Sequence, residues 1–432
     1  MEQIISMRGL FFIAALAFAP VSSAAPGDHI RPSESTVVTP SVALGFDYRT
    51  NVYRTEAAPT PAGSMVFQPG LDIGVKTDQV RWRLGGSWTG RKFLFVGANE
   101  DATASTNPSA NLDRFNEFGA STTLDVFPGE VVGIVLDERA TLRNNNADAD
   151  WAKAPFTTQV RNRISSGLRA SPGPALDFVV GGHHAFDEFL TPTADGQQSF
   201  NSRNTFGPHL DVEWRFFPRT ALTFNVDYSA VRWRDPVVEA ESGDTLGAFQ
   251  GELALPNSNH VKVRSGIEGQ FTEKLFWDLL VGYGVAAYDP ESAETTKIDG
   301  GIAASVQGVE RILVATEGRY VFVEQAAMKI GYRKDFLDSF FTNYVAYHYV
   351  YAGLGLELGP VEPSVEYGTR LESYRGDAVR DDILNRLNIA VAVNATDYAA
   401  VDIGTWWQQR ASSDIAVEYD DWNVHVGATF TY

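Results

Sequence analysis

The stretch that decides the fold is HLDVEWRFFPRTALTFNVDYS, residues 209–229. Its first half sorts into apolar Leu210, Val212, Trp214 and Phe216 against polar His209, Asp211, Glu213 and Arg215. Its second half sorts into Leu222, Phe224, Val226 and Tyr228 against Thr223, Asn225, Asp227 and Ser229. A period of two is that of a β-strand, whereas a helix repeats every 3.6 residues. With Pro218 in the short reversal between them, the halves predict an antiparallel hairpin with one apolar and one polar face.

The same alternation fills most of the chain. It predicts eighteen strands, with sixteen as the alternative count, over residues 41–49, 65–76, 79–93, 113–127, 130–143, 157–170, 175–187, 203–217, 220–234, 258–271, 274–288, 309–322, 326–336, 343–358, 361–375, 382–395, 398–409 and 417–432. Eight short turns alternate with nine longer polar connections. The pattern predicts an all-β fold in which hairpins follow one another around a sheet.

A membrane explains the even spread of aromatic residues and glycines better than a soluble fold does. The mean hydropathy is only −0.16, as expected if alternate residues face lipid and water. Because backbone polar groups find no partners in lipid, a spanning sheet must close on itself. We therefore predict a closed antiparallel transmembrane β-barrel with short periplasmic turns and long extracellular loops; a soluble β-sandwich is the alternative.

The ends of the chain predict its compartment. Residues 9–19 form an apolar run behind Arg8, followed by small residues, which is typical of a secretory signal peptide cut after Ala24. We predict a signal peptide over residues 1–24, a periplasmic segment over 25–39 and an outer-membrane barrel over 40–432. The chain has no cysteine, which excludes disulfides and thiolate metal sites. The net charge of −19 argues against nucleic acid as a partner.

The final residues, WNVHVGATFTY, alternate to Tyr432. We expect this strand to pair with the first one, with a lipid-facing stripe of Trp422, Val424, Val426, Ala428, Phe430 and Tyr432. A terminal aromatic resembles the signal that outer-membrane assembly machinery recognises, so Phe430 and Tyr432 are the candidate assembly signal. The expected partners are therefore outer-membrane lipid and the barrel assembly machinery.

Two segments carry a resemblance to a known family. Residues 45–75 contain Asn51-Val52-Tyr53-Arg54 and later Pro69-Gly70-Leu71, and residues 328–358 contain a Gly-Tyr-Arg run before a Tyr-rich strand. In these motifs the chain resembles the beta-barrel porin type 2 family, although Thr50 stands where the family often has Asp. Members of that family include outer-membrane barrels of Wzx/Wzy-dependent exopolysaccharide systems. The resemblance implies a polysaccharide substrate and a periplasmic polysaccharide export protein as partner.

The polar positions of the strands predict a wet, charged lumen. Eighteen strands about 4.8 Å apart and tilted near 40° give a backbone diameter of roughly 35 Å, which leaves an aqueous interior. The candidate pore-lining residues carry both signs of charge and one aromatic ring: Arg81, Arg83, Arg161, Arg163, Arg169, Asp211, Glu213, Arg215, Lys262, Arg264, Glu268, Glu362, Glu366, Arg370 and Trp406. The alternative is a lumen filled by salt bridges that only stabilise the wall.

Within this set, Arg161, Arg163 and Arg169 share one face of one strand and could bind acidic sugars or phosphate. Pairing of these arginines with carboxylates on the next strand is the competing interpretation. Trp406 is a candidate ring for sugar stacking, and Tyr351 falls on the same inner face. The histidines form no catalytic or metal-ligand spacing, since His183 and His184 point to opposite faces of a strand. We expect no enzyme activity, no metal and no cofactor.

Two functions remain open from the sequence. The first is a conduit for exopolysaccharide export to the cell surface, and the second is a general or substrate-specific diffusion porin. An inward-folded loop that constricts the lumen would favour the porin.

Overall fold

A computed structural model describes residues 29–52, 59–97, 116–145, 157–189, 202–234, 237–240, 251–254, 256–289, 308–339, 342–376, 379–414 and 417–432. The predicted signal peptide over residues 1–24 lies outside the described residues. No helix within the described ranges is long and apolar enough to cross a membrane.

The described residues are dominated by β-strands. These are β1 (Ile30–Ser33), β2 (Thr36–Arg49), β3 (Ala62–Lys76), β4 (Val80–Val96), β5 (Asn116–Val126), β6 (Val132–Asn145), β7 (Thr157–Gly173), β8 (Leu176–Phe189), β9 (Arg203–Phe217), β10 (Thr220–Trp233), β11 (Val237–Ala240), β12 (Gly251–Ala254), β13 (Asn257–Gln270), β14 (Leu275–Asp289), β15 (Val309–Val323), β16 (Ala326–Asp338), β17 (Tyr344–Leu356), β18 (Val361–Arg375), β19 (Arg380–Thr396), β20 (Ala399–Ser412) and β21 (Tyr419–Thr431).

Eighteen of these strands form one closed barrel. From β2 to β10 and from β13 to β21, each strand pairs antiparallel with the next, and β10 pairs with β13. The first and last barrel strands, β2 and β21, pair from Ser41↔Thr431 to Arg49↔Asn423 and close the ring. The predicted closed antiparallel barrel is confirmed, with eighteen strands rather than sixteen.

The two ends of the barrel differ in their connections. At one end, which we call the turn end, strands meet through eight tight reversals such as Phe217–Thr220. At the other, which we call the loop end, the connections are longer on average. Three of them are short, since they run from Asp338 to Tyr344, from Arg375 to Arg380 and from Ser412 to Tyr419. The predicted contrast between short turns at one end and longer connections at the other is confirmed.

The outer surface carries the apolar half of each alternating pattern. Along β21, Trp422, Val424, Val426 and Phe430 have exposed fractions of 42%, 44%, 44% and 48%. Side chains this apolar stay exposed because the medium around them is hydrocarbon rather than water.

The structure corrects the predicted N-terminal boundary. The first barrel strand begins at Thr36, and β1 pairs with its first residues, at Ile30↔Val38 and Ser33↔Thr36. The region assigned as a periplasmic segment, residues 25–39, therefore contributes strands to the sheet. β21 ends at Thr431, which pairs with Ser41 of β2, and the Tyr432 N–H donates to the Pro40 carbonyl at 3.0 Å. The residues of β2 before Pro40 pair with β1 instead, so β1 covers the part of this edge that β21 leaves free. A second unpredicted feature is the small β11–β12 hairpin within the polar stretch 235–257.

Candidate functional site: the barrel lumen

The polar half of each strand faces the lumen, as contacts between non-adjacent strands demonstrate. Arg169 on β7 reaches Asp125 on β5 at 2.8 Å, and Arg91 on β4 reaches Asp47 on β2 at 2.5 Å. Each contact passes over an intervening strand, which is possible only on the concave face of a barrel. The inner wall is therefore lined by charged side chains of both signs.

The lumen narrows at the loop end because one hairpin leaves the wall. Pairing between β15 and β16 stops at Val314↔Lys334, although β15 continues to Val309 beside β14. β16 meanwhile stays paired with β17 as far as Asp338↔Tyr344. We call residues 335–338 with 344–346 the inner hairpin, because they lean across the lumen.

Asp335 fastens the inner hairpin to β13. Its two carboxylate oxygens lie 2.8 Å from Lys262 Nζ and 2.8 Å from Arg264 Nη2. Lys262 Nζ also donates to the Phe336 carbonyl at 2.7 Å. Two cations meeting one poorly exposed carboxylate make charge-assisted hydrogen bonds, the stronger kind in proteins.

Asp338 makes a second attachment nearer the hairpin's tip. Its carboxylate accepts hydrogen bonds from Ser258 Oγ at 2.9 Å and Tyr288 OH at 3.0 Å, and His260 Nε2 lies 2.9 Å away. The carboxylate is only 5% exposed. A buried carboxylate is stable only when its oxygens are satisfied, so these partners fix the tip in place.

Apolar packing completes the attachment. Phe336 is fully buried and belongs to a cluster with Ala286, Tyr288, Val309, Leu313, Tyr344 and Ala346. An added Cβ at Gly284 would approach the Phe336 ring to 2.6 Å, so glycine is the residue that lets the ring lie against β14. The inner hairpin is thus seated on the wall by ion pairs and by a small apolar core.

The loop end is also filled beside the inner hairpin, where β18 to β21 carry buried charges. Asp382 pairs with Arg380 at 3.0 Å and lies 3.7 Å from Arg410, and all three are at most 3% exposed. Glu372 lies 2.8 Å from Arg370, whose guanidinium stands over the Tyr347 ring at 4.3 Å. These paired and largely buried side chains fill part of the lumen at the loop end.

The turn end has a recess lined by charged and polar side chains. They include Thr39, Asp72, Arg81, Arg83, Asp125 and Asp137. Arg81 and Arg83 are exposed, and neither forms an ion pair with a described residue. The lumen therefore tapers from the turn end toward the inner hairpin.

The three arginines of β7 do not act as one group. Arg161 lies 3.1 Å from Asp187 and Arg169 lies 2.8 Å from Asp125. Arg163, by contrast, stands directly opposite Arg139 of β6 and pairs with no carboxylate of the described residues. Like charges placed opposite each other destabilise a sheet, so this pair is not explained by wall stability.

The other predicted lumen residues are mostly held by neighbours. Arg215 lies 2.7 Å from both Glu213 and Asp177, and Asp211 accepts from Asn225 Nδ2 at 2.7 Å. Glu362 accepts from Asn394 Nδ2 at 2.8 Å, and Glu366 pairs with Lys329. Glu268 forms no hydrogen bond or ion pair with the described residues. Wall-stabilising pairs therefore account for most of this set.

The aromatic candidates lie in two places. Trp406 faces the lumen with the Arg49 guanidinium 5.2 Å from its ring centroid, so one face of the ring is already covered. Tyr351 stacks on Tyr349 with ring centroids 5.0 Å apart and bonds Glu317 through its hydroxyl. The sequence pattern put these rings on the inner face but gave no sign of their partners.

Sequence reasoning missed the residues that shape the lumen most. Asp335 and Asp338 fall at the predicted end of β16, where alternation gives no sign that the hairpin leaves the wall. Arg139 was missed although it alternates with outward Glu138 and Ala140 in the same way as the predicted arginines. Its position opposite Arg163 needed the register, which a single sequence does not contain.

A closed antiparallel barrel with an apolar exterior and a charged interior defines a transmembrane β-barrel. Among solved structures, the chain is similar to the outer membrane protein opdK from Pseudomonas aeruginosa, with a TM-score of 0.48 and 10% identity over 91% of this chain and 99% of that one. It is also similar to OccAB4 from Acinetobacter baumannii, with a TM-score of 0.47 and 11% identity over 93% and 100%. OprD from P. aeruginosa gives a TM-score of 0.44 and 10% identity over 96% and 99%.

No protein-family model matches the chain, and no curated protein matches it in sequence. Nothing in these comparisons supports the resemblance to exopolysaccharide barrels.

Proposed function

We propose that the protein is a diffusion channel of the outer membrane that favours small anionic solutes. The observation that carries this function is the inner hairpin. It leans into the lumen and is held by Asp335 and Asp338 to β13 and β14. A conduit for a hydrated polymer would need this seat to open, which would leave two carboxylates and their cationic partners unpaired at a high cost.

The preference for anions rests on Arg139 and Arg163. They stand directly opposite each other on β6 and β7, both on the lumen face, and neither forms an ion pair with a carboxylate of the described residues. A passing carboxylate or phosphate can accept hydrogen bonds from both, which relieves their mutual repulsion. The paired arginines, Arg161 and Arg169, are less available because Asp187 and Asp125 hold them.

The test is reconstitution of the purified barrel in planar bilayers and liposomes. We expect stable channel currents, a reversal potential that shows anion preference, and entry of monosaccharide-sized acids but not of long dextrans. Cation preference, or free passage of long dextrans, would contradict the proposal. In cells, deletion should leave surface polysaccharide unchanged, and its loss would restore the export conduit as the better function.

A further inference from the structure

One polar patch of the lipid-facing surface lies at mid-strand depth and contains ionisable side chains. We call it the Glu138 patch and define it as Thr122, Glu138, Asn162 and His184. These residues lie on the four consecutive strands β5 to β8. It is separate from the lumen and plays no part in the proposed transport function.

The strand register places Glu138 on the outside of the barrel. Glu138 lies four residues from Ile134 and so shares the face of that side chain, which is 45% exposed. On the next strand it stands opposite Ile164, which shares a face with Leu168, and Leu168 is 60% exposed. Arg139 and Asp137, its neighbours in sequence, have the opposite parity and face the lumen. A carboxylate therefore projects where the rest of the stripe projects Ile134, Leu136 and Leu142.

Glu138 also lies deep in the membrane. It is the seventh residue of the 14-residue strand β6. With a rise of about 3.3 Å per residue and a tilt near 40°, this puts it roughly 15 Å from either end of the strand. Six other barrel strands have an apolar residue at this outward mid-strand position, namely Val263, Val281, Ile330, Val350, Ile389 and Val426, whereas β18 and β20 have the uncharged Thr369 and Thr405 there.

The patch is only partly satisfied within one chain. Asn162 Nδ2 donates to Glu138 Oε1 at 2.8 Å, and Thr122 accepts from Trp82 Nε1 at 2.8 Å. The exposed His184 ring forms no hydrogen bond with a described residue. Hydrocarbon supplies neither donors nor acceptors, so ionisable groups at this depth are costly unless another protein surface covers them.

From these observations we infer that the Glu138 patch packs against the same patch of a second copy of this chain. Glu138 and His184 both neighbour Ile164, on opposite sides, at Glu138↔Ile164 and Ile164↔His184. They are therefore about 10 Å apart, too far to pair within one chain. All copies enter the membrane in one orientation, so a two-fold axis runs along the membrane normal. About an axis through Ile164, Glu138 of each copy meets His184 of the other, the reciprocal contact of an isologous interface.

Single-cysteine crosslinking tests this interface cleanly, because the native chain has no cysteine. Ile164→Cys puts a thiol on the proposed axis without changing the charges of the patch. Val263→Cys is the matched control, since Val263 is also outward and also near the middle of its strand: it is the seventh of the 14 residues of β13, and Ile164 is the eighth of the 17 residues of β7. With a short thiol crosslinker applied to outer membranes, Ile164→Cys should give a band of twice the chain's mass, and Val263→Cys should not.

Charge exchange supplies the second arm of the test. In the Ile164→Cys background, Glu138→His should remove most of the crosslinked dimer, and adding His184→Glu should restore it. Equal crosslinking of Ile164→Cys and Val263→Cys, at equal levels of folded barrel, would overturn the inference. So would a crosslinked band of any other mass, since that would mean a different protein covers the patch, or retention of the dimer in Glu138→His.

Discussion

At the scale of the residue, identical side chains on one strand have different roles. Arg161, Arg163 and Arg169 share a face of β7 and cannot be distinguished from the sequence. The structure separates them, because Arg161 and Arg169 each have a carboxylate within 3.1 Å and Arg163 has another arginine opposite. The alternation of residues predicts which face a side chain takes, but its partner depends on strand register.

Arg163→Gln should lower the anion preference of the channel while leaving the barrel as stable as before or slightly more stable. The physical reason is that the change removes one of two positive charges on opposing strand positions and breaks no ion pair with a described residue. Reversal potential in a salt gradient measures the preference, and the temperature at which the folded band is lost on a gel measures stability. Arg169→Gln is the control, and it should lower that temperature because Asp125 loses its partner. An unchanged reversal potential in Arg163→Gln would remove this arginine from the selectivity mechanism.

Asp335→Asn should raise single-channel conductance. The amide cannot neutralise Lys262 and Arg264, so the inner hairpin loses one of its two attachments to β13, keeps only the one through Asp338, and leans less far into the lumen. Asp137→Asn makes the same chemical change at a lumen carboxylate that forms no ion pair with the described residues, and its conductance should stay near that of the wild type. Equal conductance in the two variants would show that the inner hairpin does not limit flow.

At the scale of the element, the strands were predictable and their bending was not. The predicted bounds of β9 and β18, 203–217 and 361–375, agree with the structure because a clean alternation is bounded by turn residues on each side. The departure of β16 from β15 leaves no mark on that alternation, since β16 stays paired with β17 throughout. It is driven by contacts with β13 and β14, which are remote in sequence.

The stability of the seam, which is the pairing of β2 with β21 from Ser41↔Thr431 to Arg49↔Asn423, should depend on Asp421. Its side chain is fully buried, pairs with Arg49 and accepts the Asn51 N–H at 3.1 Å. Asp421→Ala leaves a nearly buried guanidinium without its main partner, so we expect a loss of roughly 3 kcal/mol or more in the free energy of unfolding.

Urea unfolding in detergent measures this loss. The control is Asp381→Ala, which breaks the exposed Arg375–Asp381 pair, with side chains 32% and 60% exposed, and should cost less than about 1 kcal/mol. Similar losses in both variants would mean that the seam has no special dependence on Asp421.

At the scale of the whole molecule, the closed barrel predicts a membrane protein whose folded form survives mild detergent. Unboiled and boiled samples should migrate differently on a denaturing gel, because the closed sheet keeps its shape until heated. The protein should fractionate with outer membranes, and recovery of most of it in a soluble fraction would contradict the fold. Closure of the barrel was predictable, because the backbone N–H and C=O groups at the edges of a sheet in lipid find hydrogen-bond partners only when the sheet closes on itself.

The seam has a consequence for the order of folding. Arg49 and Asp421 are 372 residues apart in sequence, whereas neighbouring strands join across connections of a few to about twenty residues. Each doubling of loop length adds about 0.6 kcal/mol to the entropic free-energy cost of closing the loop. Pairing the seam first would therefore cost about 3 kcal/mol more than closing a 15-residue hairpin. The hairpins should therefore form first and carry the two ends together, which makes the seam the last pairing to form. Weakening it should then speed unfolding and leave the folding rate nearly unchanged.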